Sequence, residues 1–388
     1  MIPYGKHHID SDDIKSVNKV LRSENLTQGP LIKNFETAIS KYVGSKYAVA
    51  VSSCTAGMHL AAIVSNMKKG KTLLTSPITF VSTANSSLFC GAKTIFADVD
   101  SDINISTQEV YKIFSKKKIN ALAPVHFGGL PCNMKKLKKI ADKHKAIIYE
   151  DAVHAFGSTF LDGSRVGSCK YSDMTIFSFH PVKSIATGEG GIITTNNKKI
   201  YDKLLLLRNS GIEKNSSNFI YKNKSKENKN TNPWYYEMQE LGYHYRITDI
   251  QCALGLSQLK KINQFLIKRK QLAKRYDFEL KNLKNCKIIQ EGLRNNSSNH
   301  LYILKINFKK LGVSRGKLMK LFKDKEIGTQ VHYIPVPSHP YFKKKGYKYN
   351  NLPNSYEYYQ GALSIPLYYD LSKKEQSHVI HVVKKLIG

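Results

Sequence analysis

The chain has 388 residues, 41% of them hydrophobic and 10% aromatic, which is too apolar for a disordered polypeptide and enough for a large core. Its formal net charge is +32, but only eight of the 61 basic residues are arginine, the type best suited to reading bases and gripping phosphates in pairs. The excess therefore reads as solvated lysine faces, with a general pull on anionic substrates, and not as a nucleic-acid surface. No signal-peptide pattern opens the chain, and no segment approaches the roughly 20 apolar residues of a spanning helix. Six widely spaced cysteines form no CxxC pair and no metal spacing. A cytoplasmic protein follows, with free thiols, no membrane contact, no nucleic acid and no metal.

Seven short apolar segments rich in β-branched residues predict strands at 47–51, 72–76, 94–99, 121–126, 146–151, 174–179 and 191–195. Most are continuous apolar runs, as expected of strands covered on both faces. Helical patterns fall between several of them, at 56–67 and at 134–144, where Asn133 is a cap. This alternation predicts an α/β fold with a mostly parallel sheet, whose ligands gather at the carboxyl ends of the strands. The polar stretch 211–232 reads as an exposed excursion, and 247–280 as one or two long helices. Beyond them a strand at 303–308, a helix at 315–325 capped by Ser314 and a final helix after Ser372 suggest a smaller α+β unit. The domains expected are 1–246, large and ligand-binding with an N-terminal arm, and 247–388, a linking helix and a small C-terminal domain.

Several chemically apt residues fall at predicted strand ends. Glu150-Asp151-Ala152-Val153-His154 closes one strand, and Ser178-Phe179-His180-Pro181-Val182-Lys183 follows another. A buried carboxylate and a lysine at such ends suit an aldehyde cofactor with a basic ring nitrogen: the amine condenses with the aldehyde and the carboxylate keeps the nitrogen protonated. The loop Ser52-Ser53-Cys54-Thr55-Ala56-Gly57 links a strand to a helix. Its free N–H groups and hydroxyls make either a phosphate cradle or an ordinary cap. Phe80 can stack on a flat ring, Ser178 can meet a phosphate, and His154 can orient Asp151. Each also has a purely structural reading. Thr187-Gly188-Glu189-Gly190-Gly191 provides a tight turn and re-entry into the last strand.

In this order the pieces resemble the sugar aminotransferases of the DegT/DnrJ/EryC1/StrS family, from end to end of the chain. The matching stretches include Leu26-Thr27-Gln28-Gly29-Pro30, Thr79-Phe80-Val81-Ser82-Thr83-Ala84-Asn85, Glu150-Asp151, Ser178 to Lys183, Gly188-Glu189-Gly190-Gly191 and Val331-His332-Tyr333. The resemblance implies the type I fold of pyridoxal phosphate-dependent transferases, a seven-stranded sheet and a homodimer with shared sites. Within the family the chain is most similar to the aminotransferases of pseudaminic acid biosynthesis, on Phe179 to Lys183, on Ser297-Ser298-Asn299-His300-Leu301-Tyr302 and on the run from Leu254 to Lys261. That likeness implies glutamate as amino donor and a UDP-linked 4-keto-6-deoxy-N-acetylhexosamine as acceptor, aminated at C4.

By the same likeness Lys183 is the catalytic lysine and Asp151 the partner of the ring nitrogen. Phe80 stacks on the ring, while Ser53, Cys54, Thr55, Ser178 and His154 surround the cofactor. Tyr4, Glu24, Asn25, Leu26, Thr27, Gln330, Val331, His332 and Tyr333 line the sugar-nucleotide site. One departure stands out. Where the family has asparagine in Gly-x-Asn-Tyr-Arg, this chain has Gly242-Tyr243-His244-Tyr245-Arg246, so His244 takes the place of a phosphate contact made across the dimer. The rival readings are an aminotransferase for a GDP- or dTDP-linked sugar, a sugar 3-dehydratase and a nucleic-acid-binding regulator on the same fold. Lys183 argues against the dehydratase, which has histidine there. The regulator needs a winged helix ahead of the sheet, where only about 45 residues are present.

Overall fold

The computed structural model describes residues 1–227, 230–349 and 351–388. Two helices, α1 (Ser11–Leu21) and α2 (Pro30–Val43), precede the first strand. Asp10 caps α1 through the N–H groups of Asp12 and Asp13, and Pro30 opens α2, where a missing N–H costs nothing. The seven strands are β1 (Tyr47–Val51), β2 (Thr72–Thr75), β3 (Lys93–Phe96), β4 (Ala121–Ala123), β5 (Ile147–Asp151), β6 (Met174–Ser178) and β7 (Gly191–Thr195). They form one sheet in the order β1-β7-β6-β5-β4-β2-β3. Strand β7 runs against both of its neighbours, and the remaining pairs are parallel.

The continuous apolar runs are explained by burial on both faces. In β1, Ala48 and Ala50 join the core cluster of Phe35, Ile39, Leu137 and Phe177, while Val49 and Val51 join that of Met58, Leu60, Tyr149 and Met174. Strand β4 ends three residues before the sequence pattern does, since Pro124 has no N–H to offer the ladder. Of the 121–126 segment only Val125 pairs again, in an isolated bridge to Asp151. The expected helix at 56–67 begins earlier, as α3 (Cys54–Val64) capped by Ser53. Between the remaining strands lie α4 (Val81–Phe89), α5 (Thr107–Lys116) and α6 (Met134–Lys143), the last capped by Asn133, and α7 (Lys198–Arg208) follows β7.

The polar excursion is mostly exposed, with short strand pairs at Ile212–Glu213 with Glu237–Met238 and at Lys226–Glu227 with Asn230–Thr231. Within the predicted 211–232 stretch, Asn228 and Lys229 lie outside the described residues. The long helical pattern is a single helix, α8 (Asp249–Leu280), begun by a Thr248/Gln251 capping box. Its first half packs Cys252, Ile262 and Phe265 into the sheet's core. Its second half packs Leu272, Tyr276 and Leu280 into a second core. That core covers a three-stranded antiparallel sheet (Cys286–Ile288, Tyr302–Ile306, Ala362–Ile365), with helices Arg315–Asp324 and Lys373–Ile387 capped by Ser314 and Ser372. The N-terminal arm crosses to this part. Ile2 bridges Ile327, and the Tyr4 carbonyl accepts from Leu367 N at 3.1 Å, which carries Tyr4 to the mouth of the central cavity.

Candidate active site

Strands β1, β5 and β6 point the same way, so their carboxyl ends share one edge of the sheet. Because β7 is reversed, its first residue, Gly191, lies at that edge too. A side chain on Gly191 would bring its Cβ within 2.7 Å of Cys54 N, so only glycine lets β7 start against the first turn of α3. Gly188, at φ +82°, makes the preceding turn. Together these place the loop after Lys183 beside the Ser53–Thr55 corner.

A cavity of about 770 Å³ opens at this edge. Ser53, Cys54, Thr55, Phe80, Asp151, Ser178 and Lys183 line it from the sheet side, and Tyr4, Gln330, Val331, His332 and Tyr333 from the other. Cys54 and Thr55 begin α3, where helical geometry leaves N–H groups without intrahelical acceptors. The Ser53 hydroxyl accepts from Ala56 N at 3.1 Å and so serves as the helix cap. Ser178 Oγ accepts from His180 N at 3.3 Å, and Phe80, 54% exposed, forms part of the cavity wall.

Asp151, the last residue of β5, is buried. Desolvation pushes its carboxyl up, while the Thr83 hydroxyl and the Val153 N–H, at 3.3 Å, oppose that rise. Lys183 fronts the cavity with part of its surface, yet the surrounding protein strips most of its solvation and brings the amine down to about 8. The Asp151 carboxylate resists the fall and Arg269 adds to it. His154, three residues past Asp151, is buried; its Nε2 lies 3.0 Å from the Tyr333 hydroxyl, and its ring stacks on His300 at 4.4 Å. Burial holds His154 and His300 well below the usual imidazole range and His332 at about 3, so all three rings are neutral near pH 7.

The sequence reading missed Thr83, which lies in a stretch matched to the family and is the only side chain hydrogen-bonded to Asp151 among the described residues. It also assigned no role to His300, whose Nε2 is 3.5 Å from Lys183 Nζ, or to Arg269, buried on α8. Their separation in sequence from Lys183 hides them. Glu24, Asn25, Leu26 and Thr27 are all exposed and do not line the cavity of their own chain. They are held on the rim of α8, where Asp249 N donates to the Leu26 carbonyl at 3.0 Å. His244 is likewise exposed and absent from the cavity wall.

The profile of the DegT/DnrJ/EryC1/StrS aminotransferase family matches residues 7–384. The chain belongs to this family. The spore coat polysaccharide biosynthesis protein SpsC of Bacillus subtilis is 37% identical to it, the match covering 100% of this chain and 97% of that one. The UDP-4-amino-4,6-dideoxy-N-acetyl-beta-L-altrosamine transaminase of Campylobacter jejuni is 36% identical over 98% of this chain and 96% of its own. The structure superposes on Helicobacter pylori PseC, an aminotransferase of pseudoaminic acid biosynthesis, with a TM-score of 0.89 and 28% identity, covering 100% of this chain and 99% of that one.

The donor set fits the pyridoxal phosphate expected of this aminotransferase family. It combines a low-pKa amine, a buried carboxylate, an aromatic face and the open start of a helix around one cavity. Among the described residues no group of three or more His, Cys, Asp and Glu side chains is arranged to hold a metal, the six cysteines are free, and no helix is long and apolar enough to cross a membrane.

Proposed function

We propose that this enzyme uses pyridoxal phosphate to move the amino group of glutamate to C4 of a UDP-linked 4-keto-6-deoxy-N-acetylhexosamine, in pseudaminic acid biosynthesis. The observation that carries the reading is the meeting of Lys183 and Asp151 on one cavity, in a chain 36% identical to an altrosamine transaminase along nearly its whole length. When bound, the cofactor supplies an aldehyde and a ring that takes up the electron pair left when a C–H bond breaks.

The residues divide the remaining work. Lys183, with its amine near 8, takes the α-proton of the donor and later returns one to the sugar carbon. Asp151 keeps the ring nitrogen protonated from its buried seat, and Phe80 covers one ring face. The start of α3 at Ser53, Cys54 and Thr55, with the Ser178 hydroxyl, receives the phosphate. His154, neutral and tied to Tyr333, closes the wall beside Asp151. Tyr4, Gln330, Val331, His332 and Tyr333 face the sugar nucleotide.

Glu24 to Thr27 and His244, exposed and outside the lining of their own cavity, are read as entering the site of a second copy of the chain. This makes the enzyme a homodimer with shared sites, in which the His244 imidazole donates to the phosphate bound by its partner. Residues 1–246 and 247–388 act as its two domains, joined by α8. The family match, with the similarity to a protein named for spore coat polysaccharide biosynthesis, supports a second reading, an aminotransferase acting on another nucleotide-linked keto-sugar.

An absorption titration tests both. Glutamate should convert the Lys183-bound cofactor to its amine form, and UDP-4-keto-6-deoxy-N-acetyl-altrosamine should restore the first spectrum. Conversion without restoration would remove the assigned sugar and leave the second reading. No cofactor band at all would remove both.

A further inference from the structure

His300 stands in Asn299-His300-Leu301, far along the chain from Lys183, yet its Nε2 is 3.5 Å from Lys183 Nζ. The imidazole is fixed from several sides. The backbone on either side of it is tied down: the His300 main-chain N–H donates to the Gly128 carbonyl at 3.0 Å, and the His300 main-chain carbonyl accepts from Arg269 Nη1 at 3.5 Å. Its ring lies on that of His154, 4.4 Å between centroids and 29° between planes, and His154 is itself anchored to the Tyr333 hydroxyl. Among the described residues His300 Nδ1 is buried with no hydrogen-bond partner, and Lys183 is the side chain its ring meets through a polar contact.

A protonated amine has only hydrogens to offer and needs an acceptor. We propose that His300 is a positioning residue: the lone pair on its Nε2 receives an N–H of Lys183 and seats the freed amine in one place between proton transfers. The proposal rests on the reading of Lys183 as the proton-carrying amine. The groups around that amine are Asp151 from β5, Cys54 from α3, Arg269 from α8 and the imidazoles of His154, His300 and His332. Asp151 is the one carboxylate among them. Burial first, then the cationic charge of Lys183 and Arg269 and the neighbouring imidazoles, disfavours protonation of His300, so its acceptor stays available. The Cys54 thiol is held far above its usual range by burial and does not compete as an anion.

The test uses the full-length, cofactor-free protein and follows trace acetylation of Lys183 against pH by mass spectrometry of its peptide. Wild type should show a midpoint near pH 8. His300→Phe keeps a ring on His154 but removes the acceptor, and should lower the midpoint by about one pH unit, because an acceptor favours the charged amine. His300→Gln places an amide oxygen near the lost nitrogen and should restore the midpoint to within about a third of a unit of wild type. An unchanged midpoint in His300→Phe, or an equal fall in His300→Gln, would overturn the proposal, since either would reduce His300 to a space-filling role. Should His300→Phe not accumulate as folded protein, His300→Leu gives the same comparison. Borohydride fixation of pyridoxal phosphate on wild-type Lys183 is read separately. Its absence alongside the expected midpoint shifts would overturn the aminotransferase mechanism and leave the amine's seat on His300 standing.

Discussion

The Thr83 hydroxyl, in the first turn of α4, donates to Asp151 Oδ2 at the end of β5. Thr83 has one proton to give, so Thr79 Oγ1, 2.8 Å away, is the donor in the contact between the two threonines. Two hydroxyls in series thus aim a buried carboxylate that also accepts from Val153 N, just past the end of β5. Thr83→Val removes that donor without changing shape. Cofactor affinity should weaken by about ten- to a hundredfold, the range of a hydrogen bond to a charged group, as read by fluorescence titration. Affinity equal to wild type would show that Asp151 is aimed by the backbone alone.

Asp151→Asn keeps the hydrogen-bonding shape and removes the charge. Single-turnover reaction with glutamate should slow by about a hundredfold or more, with the cofactor still attached to Lys183. A rate within a few-fold of wild type would count against Asp151 as the ring-nitrogen partner.

The amine of Lys183 sets a pH dependence. With a folded value of about 8 against 10.5 for a free lysine, the folded chain sheds a proton that the unfolded chain keeps between those values. The penalty is therefore full below pH 8 and gone above 10.5, so this group's contribution to stability improves as pH rises through that window. Lys183→Met should stabilise the cofactor-free protein by up to about 3 kcal/mol below pH 8, measured by urea unfolding, with the gain fading towards pH 10.5. The same variant should lose multiple-turnover transamination by about a thousandfold or more.

Glu150, fully buried next to Asp151, accepts from His126 Nε2 at 2.5 Å, from Thr175 Oγ1 at 3.0 Å and from the Ser172 hydroxyl. Cys132 N donates to His126 Nδ1 at 3.0 Å, which leaves the ring proton on Nε2 and the imidazole neutral. Glu150→Ala would strand these donors. A loss of about 3 kcal/mol or more, from three buried donors left without an acceptor, should appear in thermal unfolding, with weaker cofactor binding since Asp151 shares the strand.

The proposed two-chain site predicts complementation. Lys183→Ala and His244→Ala place their defects in different sites if His244 crosses to the partner. Mixed dimers should then regain about a quarter of wild-type activity at equal subunit ratio, one intact site in half of the molecules. No recovery above the parent variants would place His244 outside the partner's site.

Elements whose cause is local can be read from the residues in order. The strands around Tyr47, Ile147 and Met174 follow from apolar runs buried on both faces, and the helices after Asn133, Ser314 and Ser372 from their caps. Asp151 and Lys183 were legible because strand ends in such a sheet share an edge and because few side chains suit an aldehyde cofactor. Helices α1 and α2 were not legible, since α8, against which both pack, lies more than two hundred residues on. Tertiary structure alone decided that β7 runs backwards, which brings Gly191 to the Ser53 corner. It also decided that Thr83 serves Asp151, that His300 meets Lys183, and that Glu24 to Thr27 stand outside their own cavity. A local pattern fixes which face of an element is buried. Which distant side chain meets it is settled only when the whole chain packs.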